Sequence, residues 1–387
     1  MAVSQKRALD DDVFEAGDSR PLSRFATLMS RARSKYFSNQ DYFFQDQSRS
    51  TLKSADEFVR SIDFKPDAII VHWVSNFVST DDIRALSVTY RAPVVWYLLD
   101  MAPITGGCHY AWDCTGYFRK CGRCPALNSN NENDHSHRIW QRKHLALQGI
   151  DLTVAAGSGW LERQAERSSL FHDRPIRKIL LSVDPEIFCP VPKFASRQRL
   201  GLPEDKKIIF FGNQGLRLKR KGMSYLVESL RILADNPEFD KDRVLIAVAG
   251  ELPWDFDLPL EFRSLGFLGT DELLALAYQA ADVFVCPSVE DSGPMMINES
   301  IMCGTPVVSF DMGVAPDLVL TGKTGFRAKL KDSEDLAYGI NSILELAPDD
   351  ASRVSKECRD LGMEVCHPDR QVEGFSELLQ SKELFNG

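Results

Sequence analysis

Two successive runs of alternating apolar strands and helices, parted by a proline-rich stretch, constrain this chain more than any other feature. The first run starts at residues 68–73 (Ala68, Ile69, Ile70, Val71, His72, Trp73). It continues as a helix over 81–90, a strand over 93–98, a helix over 139–148, a strand over 152–155, a helix over 159–168 and a strand near 177–181. In the second run, strands are expected over 207–212, 243–249, 267–268, 283–286, 306–310 and 324–328. Helices fall between them, notably over 223–233 and 272–281. Apolar strands that alternate with helices belong to parallel sheets covered on both faces, so each run reads as a doubly wound α/β domain. Pro185, Pro190 and Pro192 mark residues 184–198 as a linker. The expected organisation is an N-terminal domain over 1–183, the linker, a second domain over 199–350 and terminal helices over 351–387 that cross back onto the first domain. A length of 387 residues suits two such domains.

Residues 1–67 lack the alternation. Within them Leu22, Phe25, Leu28, Met29, Ala32 and Tyr36 share one helical face, flanked by Arg24, Arg31, Arg33 and Lys35. Such a helix packs on the domain or lies on an anionic membrane, so peripheral contact with the inner membrane face is one expectation. The net charge of −9 argues against a general polyanion binder, nucleic acid included. No apolar run reaches the about 20 residues of a membrane span, and the opening residues lack the apolar core of a signal peptide. The expected location is the cytoplasm, where the nine cysteines are by default thiols or metal ligands.

The segment that carries most chemistry runs from Val283 to Glu299. A buried strand ends at Pro287, a small-residue loop follows, and a helix opens near Pro294, where a missing N–H costs nothing. Free amides at a helix start, with the helix dipole, form an anion site, and a diphosphate is its natural occupant at the C-terminal ends of such strands. Glu290 in the loop and Glu299 in the helix are carboxylates that suit paired sugar or ribose hydroxyls. Upstream, a strand ending at Gly212 leads into Asn213, Gln214 and Gly215, then Arg217, Lys219, Arg220 and Lys221 before Gly222. Cations beside a glycine turn make a phosphate cradle, with Lys221 as diphosphate ligand and Arg217 or Arg220 beside it. Cys108, Cys114, Cys121 and Cys124 lie within 17 residues and end on a Cys-Gly-Arg-Cys chelate spacing. They are read as a structural zinc site, a disulfide or reactive-thiol cluster, or plain thiols.

Residues 283–299, together with Cys303, Gly304, Thr305 and Pro306, resemble the paired-glutamate motif of the family-4 retaining glycosyltransferases, which have the two-domain GT-B fold. The segment from Asp100 to Tyr110 is similar to a subgroup acting in bacterial exopolysaccharide, capsule and colanic-acid assembly, and that subgroup also carries the cysteine cluster. The resemblance covers residues 68–345. It implies transfer of a hexose from a UDP- or GDP-linked donor to a hydroxyl of a glycan or lipid-linked oligosaccharide. It implies no catalytic cofactor, because cations and helix dipoles handle the diphosphate. By the same resemblance Glu290 contacts the donor sugar and Glu299 the ribose. Asp291 stands eight positions before Glu299 and shares the claim to the first role. Ser292, Gly293, Pro294 and Met295 face the hexose and phosphates, Gly313 belongs to a glycine turn near the phosphates, and the loop around Leu268 meets the base.

Two departures stand out. Where the family has a histidine before the aspartate, this chain has Leu99, with His72 and His109 nearby in sequence. Relatives also open with a strand and glycine-rich loop that residues 1–67 do not show, so the N-terminal domain reads as reduced. These departures leave a second reading open, a catalytically degenerate relative that binds nucleotide sugar and scaffolds.

Overall fold

The computed structural model describes residues 2–3, 14–15, 39–46, 58–59, 64–75, 77–212, 215, 218–250 and 257–383. The expected basic helix at 22–36 and Arg217 lie outside them. The chain divides into two compact units, Met1–Gly157 with Leu161–Lys178, and Ser158–Trp160 with Ile179–Gly387.

The first unit carries a parallel four-stranded sheet built from β1 (Ile69–Val71), β2 (Val94–Leu98), β3 (Leu152–Ala156) and β4 (Ile176–Lys178), in that spatial order. Every residue of β2 and β3 is buried, with Val94 opposite Leu152 and Leu98 opposite Ala156. The strand expected at 68–73 shortens to three residues at the sheet edge, and only Val71 is buried. The connecting helices are α1 (Thr80–Tyr90), α2 (His135–Leu147) and α3 (Gly159–Arg167). Ser79 and Asp82 form a capping box that starts α1, and Asp134 caps α2.

The first helix of the second unit's main segment is α4 (Lys193–Leu200), so the last six residues of the expected linker are helix. Arg197 explains why. Its buried guanidinium donates to the carbonyls of Ala280, Glu204 and Lys206 and to Asp282, tying α4 to the sheet. The sheet strands are β5 (Lys207–Gly212), β6 (Val244–Ala249), β7 (Phe262–Gly266), β8 (Val283–Cys286), β9 (Val307–Phe310) and β10 (Gly325–Ala328). All are parallel, in the order β10-β9-β8-β5-β6-β7. The helices are α5 (Met223–Asp235), α6 (Asp271–Ala280), α7 (Met295–Met302), α8 (Ala315–Leu318), α9 (Ser333–Leu344), α10 (Pro348–Val365) and α11 (Pro368–Glu383). The strand expected at 267–268 lies at 262–266 instead. Its sequence, Phe-Arg-Ser-Leu-Gly, is that of a half-exposed edge and hides among polar residues. Gly266 then turns at φ 69°, and the apolar pair Phe267-Leu268 falls in the loop beyond.

The chain leaves β5 in one direction for β6 and β7, then returns to the other side of β5 for β8. That reversal is a topological switch point. The two strands diverge there at their C-terminal ends and leave a crevice.

Candidate functional site

The crevice between β5 and β8 is a cleft of about 530 Å³ lined by Gly212, Lys221, Met223, Pro287, Pro294 and Met295, among others. Three local devices shape it. Gly222, at φ 68°, ends the turn Lys219–Lys221 and starts α5. A β-carbon there would stand 1.8 Å from the Pro287 carbonyl oxygen, so only glycine lets the turn meet the end of β8. The amides of Val289 and Glu290 donate to the Arg220 carbonyl at 2.8 and 3.3 Å, which stitches the basic turn to the acidic loop. Gly313, at φ 61°, packs against the same loop. A β-carbon there would come within 3.0 Å of the Asp291 carbonyl and 3.1 Å of the Gly293 amide.

These devices converge on Asp291. Its Oδ2 accepts from Lys221 Nζ at 2.7 Å and Arg220 Nη1 at 2.9 Å, and its Oδ1 accepts from the Gly293 amide at 3.4 Å. Burial alone would raise this carboxyl. Lys221 first, then Arg220, hold it below the usual range instead. Lys221 has three donors and spends one on Asp291. The helix α7 begins at Met295 with Pro294 as its cap, and the Ile297 amide already bonds to the Pro294 carbonyl. The amides of Met295 and Met296 belong to the first turn, which has no intrahelical acceptor, and both residues line the cleft. Cations and a helix start thus meet at one wall, the arrangement that neutralises an anion.

Glu290 is buried in the loop beside Asp291, as is Ser292. Glu299 lies one turn into α7, where the buried Tyr278 of α6 donates its hydroxyl to Oε2 at 2.8 Å. Burial pushes the Glu299 carboxyl up to about 7, with Tyr278 opposing. Sequence reasoning missed Tyr278, which reads there as one more apolar-face residue of an amphipathic helix. Gly212 ends β5 and lines the cleft, and Gly215 packs on Leu218. Leu268 sits beyond β7, two strands from β5, and is not among the residues lining this cleft.

In the first unit, a second, shallow cleft opens at the C-terminal ends of β1 and β2, lined by residues including His72, Trp73, Leu99 and Asp100. His109 does not replace the missing histidine. It is buried, with Nδ1 2.6 Å from Asp100 Oδ2 and Nε2 3.1 Å from Gln45 Oε1, so both ring nitrogens are engaged. His72 stands at the cleft, and partial burial holds its imidazole below the usual histidine range.

The cysteines do converge. Cys108, Cys114, Cys121 and Cys124 all line one small cavity, and all nine cysteines are free. The zinc expectation is not met by their arrangement. Among the described residues no group of three or more His, Cys, Asp or Glu could hold a metal ion. Cys108 is engaged in a hydrogen bond with Cys124, which holds Cys124 down to about 7, while burial pushes Cys121 up to about 12 and raises Cys114. Among the described residues no helix is long and apolar enough to cross a membrane.

Residues 192–360 match the family described as "Glycosyl transferases group 1". A D-inositol 3-phosphate glycosyltransferase of Stackebrandtia nassauensis is 32% identical over 179 residues, which cover 43% of this chain and 40% of the relative. One of Geodermatophilus obscurus is 33% identical over 175 residues, covering 42% and 38%. The chain thus spans about two fifths of the length of these curated relatives. They are named for an inositol phosphate, not for polysaccharide assembly. Among solved structures, a glycosyltransferase from Rickettsia africae aligns with a TM-score of 0.62 over 95% of this chain and 84% of that one, at 15% identity. Anabaena Alr3699/HepE in complex with UDP-glucose aligns with a TM-score of 0.58 over 84% and 82%, at 18% identity. The fold is therefore α/β of the GT-B class, with two parallel sheets flanked by helices.

Proposed function

We propose that this chain is a retaining glycosyltransferase that moves a hexose from a nucleotide-diphosphate sugar to a hydroxyl of a glycan or lipid-linked acceptor. One observation carries the reading. At the switch point of the second sheet, Lys221 and Arg220 are locked onto Asp291 beside the start of α7. Such a wall stabilises a leaving diphosphate. Lys221, Arg220 and the first amides of α7 take the phosphates, with Arg217 as a further cation. Asp291 positions the two paired cations, Glu290 meets the hexose, and Glu299 accepts from the ribose hydroxyls. No protein nucleophile is invoked, and a phosphate oxygen of the departing nucleotide takes the acceptor proton. The group 1 match over 192–360 supports a nucleotide-sugar enzyme, and the UDP-glucose complex of the Anabaena protein supports a uridine donor. The chain acts in the cytoplasm.

Transfer from a panel of nucleotide sugars to a hydroxyl acceptor tests the proposal. Nucleotide binding without any turnover would favour the degenerate reading, for which Leu99 at the first unit's cleft is the motivating residue.

Glu299 adds a pH signature. Its folded pKa of about 7 lies above the ordinary glutamate value, so it stabilises the free protein below that value and the contribution is lost as pH rises through about 7. Ribose hydroxyls donate to the ionised form and lower that pKa. Nucleotide binding should therefore release up to about one proton near neutrality, with affinity rising between roughly pH 6 and 8. Calorimetry in buffers of different ionisation heat reads the proton directly. Glu299→Gln should remove it, and an unchanged proton count in that variant would sink the assignment.

A further inference from the structure

Glu299 is held by a residue outside its own helix. Tyr278 of α6 is fully buried, and its ring is caged by Phe210 of β5 and Phe284 of β8. Both stand edge-on to it with centroids 5.2 Å away, at interplanar angles of 81° and 86°. These are the two strands that diverge at the switch point. Phe188 closes the cage at 6.4 Å, and Thr305 donates its hydroxyl to the Tyr278 carbonyl at 2.8 Å. A ring fixed by both strands carries its hydroxyl to a set place beside the crevice. There it donates to Glu299 Oε2 at 2.8 Å.

The cage itself would accept a phenylalanine, because aromatic rings pack it on every side. A buried phenol needs a partner, and the partner here is a carboxylate on the next helix. Met295 and Glu299 stand four residues apart on one face of α7, and Met295 lines the cleft. Glu299 is half-buried, and with Oε2 tied its carboxylate is oriented before any ligand arrives.

The surrounding charges make the hydroxyl matter. Burial raises the Glu299 carboxyl, Tyr278 opposes the rise, and Asp271 of α6 adds to it. Burial, then the Glu299 charge, hold the Tyr278 hydroxyl well above the ordinary phenol range, so it stays a neutral donor. Cys286 of β8 and Cys303 beyond α7 face the pair as thiols that burial raises, and Cys189 and Arg359 of α10 face Cys303 in turn. A donor to a carboxylate favours its ionised form.

We infer that Tyr278 is a positioning residue for nucleotide binding, which ties Glu299 Oε2 so that the other oxygen receives the ribose hydroxyls. This rests on the donor reading above and adds a residue to it.

Tyr278→Phe keeps the ring in its cage and removes the hydroxyl. Losing one hydrogen bond to a charged group should raise the pH at which Glu299 ionises by about one unit. UDP or GDP affinity of the full chain, measured by calorimetry, should then fall about tenfold against the parent at pH 6, and less than about twofold at pH 8.5. Melting of the free protein should show the opposite trend. The variant should lose little against the parent at pH 6, where Glu299 is protonated, and more at pH 8.5, where the buried carboxylate has lost its donor. In a Glu299→Gln background, Tyr278→Phe should cost the same at both pH values. Losses in the single variant that do not change with pH would make the hydroxyl merely structural and overturn the inference, as would a variant that does not fold. Failure of the donor reading is seen separately, as a parent that binds neither UDP nor GDP, and the melting curves then decide alone whether Tyr278 serves Glu299.

Discussion

Lys221→Ala should lower transfer by about 10²–10³-fold, the loss typical of removing one group aimed at charge that develops in a transition state. Lys221 Nζ sits 2.7 Å from Asp291 and lines the cleft in front of α7. A departing diphosphate carries more negative charge than the bound donor ester, so a cation placed there acts more on the transition state than on the ground state. The loss should therefore appear in kcat as well as in kcat/KM. Stability should suffer less. Asp291 keeps Arg220 at 2.9 Å and the Gly293 amide, so its burial is only partly uncompensated, and a cost of about 1–3 kcal/mol is expected. Lys221→Arg keeps the charge but replaces a point donor with a planar fork, and should recover only part of the rate. Steady-state kinetics beside thermal unfolding separate the two effects. Transfer within about threefold of the parent would remove Lys221 from the diphosphate site.

Gly222→Ala should be the most destabilising small substitution at the site. Two costs add. An alanine at φ 68° pays roughly 1–2 kcal/mol for the left-handed conformation. Its β-carbon would also lie 1.8 Å from the Pro287 carbonyl oxygen, an overlap that only backbone movement relieves. The backbone has little room to move. The Arg220 carbonyl accepts from Val289 and Glu290, so a retreating turn drags the acidic loop with it. A total of about 3 kcal/mol or more follows, or a fall in melting temperature of roughly 6–12 °C. Gly149 is the control. Its φ is 74°, but nothing lies within 4 Å of an added β-carbon, so Gly149→Ala bears the strain alone. If the two variants melt alike, the contact with Pro287 does not shape the site. A refolded Gly222→Ala should also bind nucleotide more weakly, because Lys221 and Asp291 move with the turn.

These expectations depend on contacts the sequence only partly discloses. The strands at 207–212 and 283–286 were legible to the residue, because a strand buried on both faces is a continuous apolar run. The edge strand Phe262–Gly266 was not, since its exposed positions are polar and the apolar pair Phe267-Leu268 lies just outside it. The basic turn and the acidic loop were each visible as candidates. Their pairing was not, because Lys221 and Asp291 are 70 residues apart and are brought together only by the return of the chain to β5. Arg220 and Lys221 were read as phosphate ligands, with no sign in the sequence that both also donate to Asp291. Tyr278 escaped notice for the converse reason. An apolar helix face gives no sign that one hydroxyl on it will meet a carboxylate from the next helix. The cysteine spacing pointed to a cluster, and the four thiols line one cavity, but among the described residues no metal-holding group forms there. The 184–198 stretch looked like a linker because its prolines were weighed and the buried charge of Arg197 was not.

The most direct test of the central claim is the fate of the donor. The protein is incubated with UDP- and GDP-hexoses and a hexoside acceptor, and released nucleoside diphosphate is quantified beside the anomeric configuration of the new bond. The account predicts stoichiometric release with one of the two bases, a product that keeps the donor's configuration, and loss of both with Lys221→Ala. An inverted product would contradict the retaining mechanism. Tight nucleotide binding with no release from any donor would contradict the enzyme itself.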